Sequence, residues 1–200
     1  MRWGLFADVH GNALQTAAAL ALLQATDRLI FLGDVLPYGD TDGLADCLTL
    51  FHHAHVLGIK GNCDRFVERY PRPADVSPAL WDYYGSWPLA RREDGLLFVH
   101  GGPLRADSTR IHSPEMAWRN FLADDFTVCF HGHTHLATCY IWNDGDVQEV
   151  PFTEHQPLRL QPGERYIIGV GSLGVPRDHR RGSLAIFDDE QAQVTLMRLP

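Results

Sequence analysis

Residues 130–135 read Phe-His-Gly-His-Thr-His ("FHGHTH") and place three imidazoles directly after the apolar run "FTVC" (126–129). A short apolar run closed by glycine reads as a buried strand. Histidine is seldom chosen to fill an apolar interior, so the end of this strand calls for a reason. A motif of this length has a high false-positive rate by itself, and taken alone it reads first as a polar loop at a strand end.

The same arrangement recurs along the chain. The runs "WGLFAD", "DRLIFLGD", "HVLGIKGN" and "LLFVH" lead into "DVHGN" (Asp8, His10), "GDV" (Asp34), "GNCD" (Asn62, Cys63, Asp64) and "HGG" (His100), and the fifth run ends in "GHTH" (His133, His135). Each segment alone is commonplace. In open α/β sheets, however, the carboxyl ends of the strands share one edge where sites form, so five such ends deliver Asp, His and Asn groups to one place. Gly11, Gly33, Gly61, Gly101 and Gly132 stand beside these residues, where a chain turns sharply or approaches closely.

Between the strands the pattern turns helical. "ALQTAAALALLQ" (13–24) is rich in strong helix formers and is opened by Asn12 as an N-cap, and "TDGLADCLTLFHH" (41–53) is a second helix with Thr41 as cap. Strand and helix alternation implies right-handed crossovers and a parallel sheet. Three prolines break residues 65–78, a short helix lies near 80–84, and another spans about 115–122. The segments "CYIWNDGDVQEV", "RYIIGVGS" and "SLAIFDDEQAQVTLMRL" then read as antiparallel hairpins. The expected architecture is one domain over 1–200 with a parallel half and a hairpin half, built as two sheets face to face between helices.

Composition narrows the function. Seventeen Lys+Arg against 25 Asp+Glu give a net charge of −8, which argues against stable polynucleotide binding, where a basic face supplies most of the affinity. No apolar run approaches the roughly 20 residues needed to span a bilayer, and "MRWGLFADVHGN" has no signal-peptide character. A cytoplasmic location with no membrane partner is expected. The four cysteines (Cys47, Cys63, Cys129, Cys139) form no CxxC pair, so reduced thiols are expected and no structural zinc site. Eleven histidines are the compositional hint of a site.

The ordered set DxH, GD, GN(H/C)(D/E), H and GHxH resembles that of the calcineurin-like metallophosphoesterases, and "GNCD" with a late "GSLGVPRD" (171–178) is similar to their small bacterial and archaeal phosphodiesterase branch. The resemblance runs from Asp8 to about Asp188 and is loose over 65–96. It implies an α/β fold, a four-layer αββα sandwich with two mixed sheets flanked by helices. It also implies a two-metal centre, with Asp8, His10 and His135 on one ion, Asn62, His100 and His133 on the other, and Asp34 bridging. Imidazole and carboxylate ligands suit Mn, Fe, Zn, Co or Ni, with manganese placed first. Two such ions lower the pKa of a shared water so that hydroxide can attack phosphorus. The expected reaction is hydrolysis of a small nucleotide-type phosphate diester, with Asp34, Asn62 and His100 as the catalytic set. Dinucleoside polyphosphate or phosphoprotein hydrolysis would use the same centre, and a non-catalytic scaffold would be expected to lose ligands, whereas all seven are here.

Other residues rank around this set. His133 and His135 are two apart, so an extended segment would place both on one face with Thr134 pointing away, and His131 is given a packing role or one supporting the ligands. Many family members carry a histidine at the position of Cys63 and use it to protonate the leaving group. A cysteine is a weak replacement and reads as a small buried residue, which favours good leaving groups. His52, His53 and His55 sit at a helix end, where a cation complements the dipole. His112, after "HGG", is a candidate for touching substrate. Arg177, with Arg180 and Arg181 in "PRDHRR", suits phosphate or a solvated turn.

Overall fold

The computed structural model describes all residues 1–200, and the predicted alternation of strands and helices opens the chain. β1 (Arg2–Phe6) leads into α1 (Ala13–Leu22), β2 (Arg28–Phe31) into α2 (Leu44–His53), and β3 (Leu57–Gly58) into α3 (Asn62–Val67) and α4 (Pro78–Gly85). β4 (Ala90–Glu93), β5 (Leu96–Val99), α5 (Pro114–Ala123), β6 (Val128–His131), β7 (Ala137–Asn143), β8 (Asp146–Val150), β9 (Leu158–Arg159), β10 (Arg165–Val170), β11 (Ser183–Asp188) and β12 (Gln193–Arg198) complete it.

Local chemistry sets the helix starts. Asn12 accepts from Gln15 N–H at α1, and Ser77 and Ser113 accept from Leu80 and Met116 N–H, each just ahead of a proline in the first turn. α2 begins later than expected. Its cap is Gly43 at φ 79°, not Thr41, because the chain there passes so close to Gly11 that a Cβ on Gly43 would meet Gly11 O at 2.1 Å. Only glycine fits.

The strands form two six-stranded sheets, ordered β3-β2-β1-β11-β12-β9 and β4-β5-β6-β10-β7-β8. Helices lie outside each, which gives the αββα sandwich. Both sheets are mixed, as the resemblance implies, so the parallel half and the hairpin half of the chain are interleaved and not kept to separate sheets. β1 pairs parallel with β2 and antiparallel with β11. β10, expected in an antiparallel hairpin, runs parallel to β6 (Ile167 opposite Cys129) and antiparallel to β7. A strand buried on both faces has no polar alternation with which to declare its neighbour. β7–β8 and β11–β12 are the antiparallel hairpins expected.

Three apolar layers separate the four structural ones. Phe6, Phe31, Leu48, Phe51, Tyr84 and Trp87 pack between the first sheet and α1, α2 and α4. Trp3, Leu5, Ile30, Phe98, Phe130 and Phe187 fill the space between the sheets, and Leu97, Val99, Phe121, Cys129 and Ile167 lie beneath α5. β5 shows the logic, since Leu96 and Phe98 face the middle layer while Leu97 and Val99 face α5. All four cysteines are free and buried.

Phe31 is the hub of the first layer, with ring centroids 5.4, 4.7 and 5.7 Å from those of Phe6, Phe51 and Trp87. Phe31→Ala is expected to cost about 3–5 kcal/mol of unfolding free energy, read as a lowered urea midpoint with unchanged slope; a loss below about 1 kcal/mol would contradict this packing.

Candidate metal centre

The chain leaves β1, β2, β5 and β6 at one edge of the sandwich, and their pairing continues past the strand ends: Asp8 N donates to Gly33 O (2.9 Å), Gly11 N to Val35 O (2.7 Å) and Gly132 N to His100 O (3.0 Å). Fixed in this way, the loops bring the predicted donors together. Asp8, His10 and His135 offer one group of donor atoms, and Asp34, His100 and His133 another, with the atoms of each group within 4.8 Å of one another. In the first, His135 Nε2 lies 3.3 Å and His10 Nε2 3.9 Å from Asp8 Oδ1. In the second, His100 Nε2 lies 3.4 Å from Asp34 Oδ2 and 3.1 Å from His133 Nδ1. A third group of His10, Asp34 and Cys63 joins the two.

The residues fit divalent ions. His10, His100 and His135 each turn Nδ1 to a backbone carbonyl, of Leu36, Leu32 and Val175 at 2.9, 2.8 and 2.7 Å. A carbonyl only accepts, so Nδ1 carries the proton and Nε2 faces the cluster, the usual support for a ligating imidazole. Asp8 Oδ1 and Asn62 Oδ1 are buried without any hydrogen-bond partner, an expense that a cation would relieve. Asp8 Oδ2 is held by His133 N–H (3.0 Å) and Asp34 Oδ1 by Cys63 N–H (2.9 Å).

Backbone strain marks the same residues. Asp8, His10, Asp34, His133 and His135 have φ between 46° and 63° and make up five of the ten non-glycine residues at positive φ. Such positions cost about 1–3 kcal/mol each and collect at functional sites. This corrects the expected geometry of "GHTH": β6 ends at His131, and His133 and His135 reach the cluster from two left-handed residues, not from one face of an extended strand. Asp64 ties the two loops beneath Asp34, because its buried carboxylate accepts from the N–H groups of Asp34, Val35 and Gly61 (2.8, 3.0 and 2.8 Å). Burial and the charge of Asp34 nevertheless raise Asp64 to about 7.

Crowding sets the protonation of the rest. Burial pulls His100 down, but the Asp34 carboxylate outweighs it and lifts His100 to about 9; Asp34 is held well below the usual carboxylate range. Burial, with the charge of His100, lowers His133 to about 4. Burial lowers His131 to about 4 too; its ring is fully buried, with Nδ1 at 3.0 Å from Gly132 O. Burial and the charge of Asp34 push the Cys63 thiol far up, so it keeps its proton.

A cavity of about 620 Å³ opens over the cluster, lined by His10, Asp34, Asn62, Cys63, His133, His135 and Arg177, and also by Pro37, Tyr38, Arg110 and Val175. His112 is exposed and outside this wall, its Nδ1 turned to Arg110 O. Arg110, two residues earlier, takes the place foreseen for it and donates to His133 Nε2 at 3.3 Å. The only signal for Arg110 in the sequence is its position between Thr109 and Ile111, whose burial turns the arginine outward. Arg180 and Arg181 lie outside the wall, Arg181 paired with Glu154. His52 and His53 are exposed in the last turn of α2, with His55 just beyond it.

The site and fold define a metallophosphoesterase. The sequence matches the family described as "Calcineurin-like phosphoesterase superfamily domain" over residues 1–192, and the chain belongs to that superfamily. It is similar to the crystal structure of a metallophosphoesterase from Sphaerobacter thermophilus, at 26% identity and TM-score 0.86, covering 100% of this chain and 89% of that one. A solved "novel archaeal phosphodiesterase" shares the fold at 15% identity and TM-score 0.59, with both chains covered fully. An uncharacterised protein of Methanocaldococcus jannaschii is 23% identical over 98% of this chain and 86% of its own length. No helix is long and apolar enough to cross a membrane.

The His100–Asp34 pair makes the stability of metal-free protein depend on pH. His100 is raised from 6.5 to about 9, so its contribution is complete below pH 6.5 and is lost as pH rises through 9. In chelator, the stability difference between wild type and His100→Asn is expected to shrink between pH 6.5 and 9 in urea titrations; a constant difference across that window would contradict the pairing.

Proposed function

We propose that the protein is a metal-dependent phosphodiesterase acting on a small nucleotide-type phosphate diester, with Asp8, His10 and His135 holding one divalent ion, Asn62, His100 and His133 the other, and Asp34 standing between them. The observation that carries this reading is the pair of donor groups, joined through a third in which His10 meets Asp34 and Cys63, together with the buried, unpartnered oxygens Asp8 Oδ1 and Asn62 Oδ1. The mixture of imidazole nitrogens with carboxylate and amide oxygens accommodates Mn, Fe, Zn, Ni or Co, and the reading places manganese first. When bound, two such ions acidify a water and neutralise phosphoryl oxygens.

The chain's own groups supply position and charge. Asp8 and Asp34 leave a centre loaded with two divalent ions net positive, which suits an anionic ester. Asn62 Nδ2 lies against Cys63 Sγ at 3.3 Å, from which it can turn to a phosphoryl oxygen as charge builds. Arg177, on the cavity wall, supplies a fork for the same oxygens. The protonated, buried Cys63 takes the place where related enzymes carry an acid, so the reading favours esters whose leaving group needs no proton. The complete donor set speaks against a retired scaffold.

Asp34→Asn is expected to lower both the metal bound per chain and the turnover of bis(4-nitrophenyl) phosphate with Mn²⁺ by at least about 100-fold, since even a residue supporting a ligand is worth 10–100-fold. Elemental analysis with the rate assay checks it, and a variant that kept two ions and most of its activity would overturn the bridging role. Cys63→Ala should change turnover of the same diester by less than about threefold. A drop of about 10²- to 10⁴-fold with metal content intact would instead make the thiol an acid catalyst.

A further inference from the structure

One aromatic side chain, Tyr38, lines the cavity beside Asn62 and Cys63 of α3, and nothing in the hydrolysis requires it there. Phe66 follows Asn62 by four residues on α3, so both project from one helix face. Tyr38, in the loop after Asp34, lies against Phe66 with ring centroids 4.4 Å apart and planes at 31°, and Tyr70 extends the row at 5.4 Å. Tyr38 lines the cavity beside Asn62 and Cys63 while Phe66 does not. Phe66 therefore backs one face of Tyr38 and the other remains open. Tyr38 is 69% exposed, which gives an aromatic face held in place but uncovered.

The His133 and His135 side carries positive charge. Arg110 and Arg177 line the wall there, and neither is among the arginines that pair with carboxylates. Arg110 Nε lies 3.3 Å from His133 Nε2. An imidazole that gives its Nδ1 lone pair to an ion carries a proton on Nε2. The loaded site then offers Arg110 no acceptor, and its guanidinium is free for phosphoryl oxygens.

We propose that Tyr38, backed by Phe66, is a stacking subsite for the flat heteroaromatic base of a nucleotide-type substrate, with Arg110 holding its phosphate beside the metal ligands. The inference rests on reading the cavity as a phosphate-ester site and adds the part of the substrate that is selected: esters bearing a base over aliphatic ones. Stacking accepts any base, because every base presents a π-face.

Adenosine 5′-monophosphate and ribose 5-phosphate share sugar and phosphate and differ only in the base. Their binding to Mn²⁺-loaded protein is measured by calorimetry and as competitive inhibition of diester hydrolysis. The nucleotide should bind at least about tenfold more tightly, as one aromatic stacking contact allows. Tyr38→Ala should bring that ratio close to one and Tyr38→Trp keep it, whereas Arg110→Ala should weaken both ligands by a similar factor and leave the ratio. Equal binding to the wild type, or an unchanged ratio in Tyr38→Ala with intact circular dichroism, would overturn the subsite. Calorimetry separates the two readings: a protein that prefers the nucleotide but hydrolyses no diester keeps the subsite and loses the phosphodiesterase, and one that hydrolyses diesters without the preference does the reverse.

Discussion

Two carboxylates, Asp8 and Asp34, are held in a buried cluster with four imidazoles, and the surrounding backbone is arranged to keep them there. Ionised groups taken from water are costly unless something answers their charge. Here one oxygen of each is answered by an N–H across the cluster, from His133 and Cys63. The other oxygens, Asp8 Oδ1 and Asp34 Oδ2, face imidazole nitrogens. Glycine permits the approach: a Cβ on Gly61 would meet Asp34 Oδ1 at 2.1 Å, and one on Gly132 would meet Asp8 Oδ2 at 2.7 Å.

Both sheets are needed for this geometry. Asp8, His10 and Asp34 come from the first, and His100, His133 and His135 from the second. The loop after β10 fastens the two together: Leu173 and Gly174 N donate to Ala7 and Asp8 O, Val175 O accepts from His135, and Arg177 N donates to His135 O. The apolar layer between the sheets sets the spacing of the donor groups, so packing around Phe98 and Phe130 reaches the chemistry through the strand ends. This is how a site buried at one edge tolerates five strained residues; the sandwich beneath over-determines their position.

Much of this was legible in the sequence, for physical reasons. Strands buried on both faces read as unbroken apolar runs, and the turn residues after them are the ligand types, so the order of motifs carried both the αββα architecture and the residues that gather at its edge. Pairing partners were less legible. β10 has apolar residues for both faces and none that name β6 as its parallel neighbour, while β4 (Ala-Arg-Arg-Glu) is too polar and β9, with two residues, too short to stand out. The motif does not reveal what gathers His133 and His135, since alternation along a strand and two left-handed residues bring together the same pair of histidines. Arg110 left only a faint signal and the Tyr38–Phe66 pair none, because they belong to loops and a short helix whose course depends on tertiary packing.

The central claim is that Asp34 stands between two ions in one cluster. Anomalous diffraction from crystals of the protein soaked in Mn²⁺ tests it most directly. The account predicts two manganese peaks about 3.5–4 Å apart, with Asp34 between them, one beside Asp8, His10 and His135 and the other beside Asn62, His100 and His133. A single peak, or two peaks without Asp34 between them, would contradict it.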